Sequence, residues 1–485
     1  MKNIMLKLAA FSMSFILGNA PVFAATYYVA TNGTDSSACG SATSECATIQ
    51  YVLDNKVTAG DTVKIKSGTY NLSSRTIYIN NPVNHANLTI TADDYNNRPL
   101  LAFDWTATIN IRIQSGVKGV TISRLRVSSG PSRKLVWGTS IRIDDNPAVI
   151  DNCEIYNGFV GIAINTGKNV TISNNVIHTM GAYETDPNSA AGSGGGIGAY
   201  NFDGSPAAAS WNEKIYIYNN EVYDVAEDAF INVNTFYKYL EIAYNNMHDN
   251  YEDGLDWKDT QYVRIHHNKI HDNWGNGIGS NNSYPSTDFE VWNNEIYNNG
   301  WYGLLIQGGS KDQKNWKIWN NLIYGNAKNP ATWGADGVSL NGTGHEFYHN
   351  VIYSNTVPGS QANAGLRGGG IIRNNIFYNN AGNSSGNIAT SVSGTIETNY
   401  VYPVSPGKTG SYAFTNSSPV MTNPETADFR LQSSSPLIDM GVNTGITTDY
   451  LGVARPKSGG YDIGAFEYDA AGSPGPPQYL RGTIN

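Results

Sequence analysis

The chain has 485 residues, a formal net charge of −9 and only 15% charged residues. An acidic balance of this kind offers no basic face to phosphates, so no nucleic-acid partner is expected, and a polyanionic ligand would need a cation between it and the protein. With 51 glycines, 31 tyrosines against 14 phenylalanines and 3 cysteines, the composition suits a long, turn-rich β-structure held by its core rather than by disulfides.

Lys2 and Lys7 flank a short apolar run from Leu8 to Leu17, and Val22-Phe23-Ala24 follows with the pattern signal peptidase cuts. Residues 1–24 are therefore a predicted signal peptide and the mature protein is expected to be secreted, extracellular or periplasmic. No later stretch approaches the ~18 uninterrupted apolar residues of a spanning helix, so no membrane span is expected. Cys39 and Cys46 lie in a Gly/Ser-rich loop, close enough in sequence for a local disulfide, whereas Cys153 reads as a buried small residue. Thr48 to Asn55 has the pattern of a short amphipathic helix, followed by Gly60-Asp61-Thr62-Val63 and Gly68-Thr69-Tyr70.

Beyond it a repeat takes over. An apolar-x-x-Asn-x-Ile-Tyr/His segment recurs from Ile217, Ile242, Ile265, Val291, Ile318, Phe347 and Ile372. Between the copies stands a Gly/Ala-apolar pair: Gly161-Ile162, Gly196-Ile197, Ala229-Phe230, Gly254-Leu255, Gly277-Ile278, Gly303-Leu304, Gly337-Val338 and Gly365-Leu366. Two short strands per repeat cannot bury a core alone, but stacked coils can. Ile172, Ile217, Ile242, Ile265, Val291, Ile318, Phe347 and Ile372 then form an inward ladder. Asn175, Asn220, Asn245, Asn268, Asn294, Asn321, Asn350 and Asn375 form an asparagine ladder at a turn, bonded coil to coil at the ~4.8 Å strand spacing. His178, His248 and His271 fall in the column of Tyr156, Tyr223, Tyr297, Tyr324, Tyr353 and Tyr378, and read as members of an aromatic stack. The fold expected is all-β, a single-stranded parallel β-helix over 25–425, with an end segment at 426–468 and a flexible Gly/Pro-rich tail at 469–485.

Acidic residues concentrate on two neighbouring coils: Asp224, Glu227 and Asp228 before one Gly/Ala-apolar pair, and Asp249, Glu252, Asp253, Asp256 and Asp259 around the next. Stacked a strand spacing apart, such carboxylates repel, which raises their pKa or demands a cation. Hard oxygen donors of this kind suit Ca²⁺. Leu255 must point inward, so Asp256 points outward and Lys258 shares its face. Carboxylates, a cation and a lysine are the parts of uronide β-elimination: the cation acidifies the proton α to a substrate carboxylate and a base removes it. Trp257, Trp274 and Trp301 lie near these coils and are candidate stacking faces for sugar rings. The insertion from Gly181 to Glu213, with Tyr200, Phe202 and Trp211, is expected to border the cleft. Arg142 and Arg367 share the outward strand column on distant coils, placed to hold substrate carboxylates if the groove runs that far.

The N-terminal helix with its first coil resembles the cap of the pectate-lyase-like right-handed β-helix superfamily. Asp428-Phe429-Arg430-Leu431, Ser435-Pro436-Leu437-Ile438-Asp439 and Asp462-Ile463-Gly464-Ala465-Phe466 resemble the terminal segment of many exported β-helix proteins. Glu252-Asp253-Gly254-Leu255-Asp256, with Asp228 a coil earlier, resembles the calcium constellation of the family-nine pectate lyases. The resemblance implies Asp228, Glu252, Asp253 and Asp256 as Ca²⁺ ligands. It places the base lysine of those enzymes on a later coil, where this sequence has Gly279, Leu305 and Ser339; Lys258 is the candidate base here. Asp256-Trp257-Lys258-Asp259 also falls where β-helix mannuronan C5-epimerases and alginate lyases carry Asp-Pro-His-Asp/Glu, though proline and histidine are both absent. The expectation is a monomeric, Ca²⁺-dependent polysaccharide lyase acting on an acidic, pectate-like polysaccharide. The alternatives are a C5-epimerase or a non-catalytic, glycan-binding surface protein that uses Ca²⁺ for rigidity.

Overall fold

The computed structural model describes residues 24–470 apart from 105, 132–137, 166, 183–193, 201–212, 234–238, 259, 281–284, 309–312, 330–334, 356–364, 381–385, 389–391 and 404–417. The expected signal peptide, but for Ala24, and nearly all of the expected tail lie outside the described residues. Successive coils contribute strands to three long parallel sheets in turn. In one coil these are Leu255–Trp257 in sheet 1, Val263–His266 in sheet 2 and Lys269–His271 in sheet 3. Among the described residues sheet 3 has 13 strands, while sheets 1 and 2 are joined into one hydrogen-bonded network through the long strand Leu366–Arg373.

Register follows the sequence columns. Ile172 pairs with Ile217, then Ile242, Ile265, Val291, Ile318, Phe347 and Ile372, each a coil further on. All are fully buried, because side chains alternate along a strand and this column faces the axis. The residue before each ladder asparagine takes a left-handed φ, as at Asn219 (56°), Asn293 (53°) and Asn374 (58°), which turns the chain from sheet 2 to sheet 3. Asparagine tolerates that conformation better than most residues.

The asparagine ladder runs from Asn175 to Asn399, each side-chain oxygen accepting from the backbone N–H and the amide of the preceding rung. A second ladder, which the column reading did not separate out, lies at the next corner: Asn250, Asn273, Asn299, Asn326, Asn355, Asn380 and Asn387. The histidines stand where expected. Tyr156, His178, Tyr223, His248, His271, Tyr297 and Tyr324 form one face-to-face stack with centroids 4.5 to 5.3 Å apart.

The helix Ile49–Asn55 closes the first end, capped by the Thr48 hydroxyl accepting from Tyr51 N–H, and packs Ile49, Val52 and Leu53 on the core. Cys39 and Cys46 form a disulfide, and Cys153 is buried and free. At the other end the outward column of sheet 3 changes character. It runs Glu221, Asn246, Lys269, Glu295 and then Leu322, Val351, Ile376, Tyr400. Phe429, Leu437, Ile463 and Ala465 of the C-terminal segment cover that apolar stretch. No helix among the described residues is long and apolar enough to cross a membrane.

Candidate active site

The turn from sheet 3 into sheet 1 carries the site. The register Phe230–Leu255–Ile278–Leu304–Val338 aligns Asp228, Asp253, Asn276, Tyr302 and Asp336, two residues earlier, in one column. Its first members form a ladder of the asparagine kind. Asp253 N–H donates to Asp228 Oδ1 (2.8 Å), Asn276 N–H to Asp253 Oδ1 (2.6 Å), and Tyr302 N–H to Asn276 Oδ1 (3.1 Å). A carboxylate caps the turn as well as an amide does, but brings charge and a second acceptor in place of a donor. The second oxygen of Asp228 is buried with no hydrogen-bond partner among the described residues.

Glu227, Asp228 and Glu252 bring carboxylate oxygens within 4.8 Å of one another. Glu227 also accepts from Gly194 N–H (3.1 Å), so the insertion reaches the cluster at Gly194. Burial pushes the Glu252 carboxyl up to about 9, helped by the charges of Asp253, Glu227 and Asp256. Burial and then Asp256 push Asp253 up to about 7 against its bonds from Asn276. Asp228 is held well above the carboxylate range by burial and by its acidic neighbours.

The residues expected from sequence meet the geometry differently. Asp253 is close to the cluster, yet both its oxygens accept from Asn276. Glu227, not singled out as a ligand from sequence, takes the third place in the close set. Asp256 points outward and accepts from the Lys258 ammonium at 2.6 Å. Burial lowers the Lys258 pKa, but in the metal-free fold Asp256 and Asp228 outweigh it and raise the group above its ordinary value.

Trp257 is a correction. It is fully buried, packed between Phe230 and Phe289, and offers no face to a sugar. Leu255 and Trp257 are two apart on one strand and both face the axis. Trp274 and Trp301 are half-buried, 5.2 Å apart at their centroids, on the same turn one and two coils past Glu252. Gly279 pairs with Asp256, and a Cβ there would meet Asp253 Oδ2 at 2.5 Å, so a side chain at that position would require the Asp253 carboxylate to shift. The strand Ile197–Tyr200 joins sheet 1; Phe202 and Trp211 lie outside the described residues, as does the Tyr200 side chain.

The donor set fits a hard divalent cation. Three carboxylates converge within one coordination sphere, one of their oxygens has no hydrogen bond, and mutual repulsion gives a cation something to relieve. Glu227, Asp228 and Glu252 are the residues that would hold it.

No curated protein matches the chain in sequence. Among solved structures, pectate lyase Pel9A is similar at 16% identity over 92% of this chain and 96% of its own, with a TM-score of 0.41. The A-module of Azotobacter vinelandii mannuronan C-5 epimerase AlgE6 is similar at 14% identity over 72% and 92%, with a TM-score of 0.47. The Dettilon tailspike protein gp208 is similar at 14% identity over 73% of this chain, which spans only 64% of that tailspike, with a TM-score of 0.44. Residues 108–314 match the family model described as "Right handed beta helix region", and the chain is a right-handed parallel β-helix, the fold that the resemblance to the pectate-lyase-like superfamily implies.

Proposed function

We propose that this protein is a secreted polysaccharide lyase that cleaves a uronate-rich, pectate-like polymer by β-elimination at the carboxylate turn, with Ca²⁺ as cofactor. The observation that carries the reading is the unpartnered, buried Asp228 oxygen set beside Glu227 and Glu252. Ca²⁺ bound there would draw charge from a substrate carboxylate and acidify the proton α to it. Elimination then removes that proton, breaks the bond to the glycosidic oxygen on the next carbon, and leaves a carbon–carbon double bond; the departing oxygen takes up a proton. Lys258 is the candidate base. Its ammonium must first give up a proton, so its ion pair with Asp256 has to open before it acts. Trp274 and Trp301 stand where they can flank a polymer crossing the turn.

The test is ultraviolet absorbance at the unsaturated-uronide band, with polygalacturonate, alginate and other uronans, in Ca²⁺ and then in chelator. A Ca²⁺-dependent rise that Asp228→Asn abolishes is expected. No rise on a broad panel, from folded protein that binds Ca²⁺, overturns the lyase reading. Changed uronate composition without shortening would point to an epimerase. The Asp256–Lys258 ion pair favours a second, non-catalytic reading, in which a cation pins two coils; chelator would then lower thermal stability while no glycan is altered.

A further inference from the structure

We propose that Arg367, held by Asp336 beside a glycine-floored cleft, forms a second subsite that binds a carboxylated sugar of the same acidic polymer. This rests on the uronate reading above and adds a place and a partner to it. Asp256, Gly279, Leu305, Ser339 and Arg367 pair coil by coil in one outward column of sheet 1. Four steps at the ~4.8 Å strand spacing put Arg367 about 19 Å from Asp256 along the helix axis. An extended polymer laid along the axis spans both.

The pairing of Arg367 is asymmetric. Asp336 sits at the turn position that Asp253 holds in the acidic cluster, with its side chain 1% exposed, whereas the Arg367 side chain is 37% exposed. Nε donates to Asp336 Oδ2 at 2.8 Å and Nη2 to Oδ1 at 3.4 Å, a two-point hold that sets the plane of the guanidinium. Arg112 over Asp144 shares this asymmetry, whereas at Arg455 and Glu467 both partners are buried. Here the carboxylate is the hidden anchor and the guanidinium is presented.

What it is presented to is a cleft of about 490 Å³ that Arg367 lines with Asn341, Gly342, Thr343, Gly368 and Ser393. None of the described residues lining it carries a carboxylate, in contrast to the groove on sheet 2 that holds Asp288, Glu290 and Glu346. The floor is bare for a steric reason. Gly368 has φ +96° and its Cβ would lie 1.9 Å from Leu340 O; Gly342 has φ +125° and its Cβ would lie 2.1 Å from Gln313 O. One planar cation among hydroxyl, amide and backbone groups is the equipment for a sugar with one carboxylate and several hydroxyls.

Affinity electrophoresis of the full-length protein tests this without turnover. The gels contain polygalacturonate or alginate, each beside its carboxyl-reduced counterpart, all in chelator so that the acidic cluster only repels. Retardation by a uronan and not by the reduced polymer is expected. Arg367→Gln should weaken it about tenfold or more, the loss expected for one charged hydrogen-bonding partner. Because Arg367→Gln leaves Asp336 buried and charged, the Asp336→Asn/Arg367→Gln double variant is run beside it, with melting curves on both. A folded double variant retarded as strongly as wild type, equal retardation by the reduced polymer, or no retardation by either uronan overturns the subsite. Its fate is separable from that of the lyase reading. Retardation through Arg367 with no turnover sinks the lyase alone, and turnover with retardation unchanged in the double variant sinks the subsite alone.

Discussion

Replacing Glu252 by glutamine isolates the electrostatic strain at the carboxylate turn. In the metal-free fold the Glu252 carboxyl is pushed from 4.5 to about 9, chiefly by burial and then by Asp253 and Glu227. The folded protein therefore keeps this proton where the unfolded chain has lost it. Raising the pH above about 4.5 favours the unfolded chain, and the loss of stability continues until the folded group ionises near 9. Each pH unit inside that window removes about 1.4 kcal/mol through this one group, so about 3 kcal/mol disappears between pH 5 and pH 7. Glutamine carries no such proton. The difference in unfolding free energy between wild type and Glu252→Gln should thus move by about 3 kcal/mol over that interval, in favour of the variant as pH rises. Urea unfolding in chelator, followed by circular dichroism at half-unit pH steps, reads it directly. Added Ca²⁺ should shift the difference back toward wild type at pH 7, because only wild type gains the full binding term, RT ln(1 + [Ca²⁺]/Kd). Parallel pH profiles for the two proteins in chelator would refute the argument for strained carboxylates. A stabilisation by Ca²⁺ equal in both would refute the assignment of Glu252 as a ligand.

Asn294→Ala removes the side-chain oxygen that Asn268 N–H and Nδ2 share at 3.0 and 2.9 Å in a fully buried ladder. Two buried donors lose their acceptor, so a destabilisation of about 2–6 kcal/mol in urea unfolding is expected, and a loss under 1 kcal/mol would show that the ladder is dispensable. Phe429→Ala empties a buried place where the ring meets Tyr324 and Tyr353 edge-on, and about 3–5 kcal/mol should be lost. Limited proteolysis should then cut the C-terminal segment before the coils, and uniform cleavage along the chain would contradict its role as a separate cover.

In a solenoid every residue's spatial neighbours are the same position one coil before and after, so columns of like residues translate directly into ladders. That is why the asparagine ladder and the Tyr/His stack were legible at residue level. The C-terminal cover left a readable trace as well, since the outward column of sheet 3 turns from Glu295 to Leu322, Val351 and Ile376 just where the cover lies. Trp257 is next to Asp256 in sequence but not on its face of the strand: the alternation that sends Asp256 outward sends Trp257 inward with Leu255.

Column logic reaches along the helix axis but not across a turn. Which of Glu227, Asp228, Glu252 and Asp253 face one another depends on how the corner bends, and it is the corner that gives Asp253 to Asn276 and leaves Glu227 in the close set. The position next to Asp256 shows the two kinds of information meeting. Read along the column, Gly279 is one of the positions, with Leu305 and Ser339, at which the resemblance implies a lysine; read across the turn, a Cβ there would meet the Asp253 carboxylate. A side chain at position 279 would require the Asp253 carboxylate to move, so the Asp253 position and a base at 279 are coupled. Lys258, two residues on from Asp256 and ion-paired to it at 2.6 Å, is a cationic group that the fold supplies there.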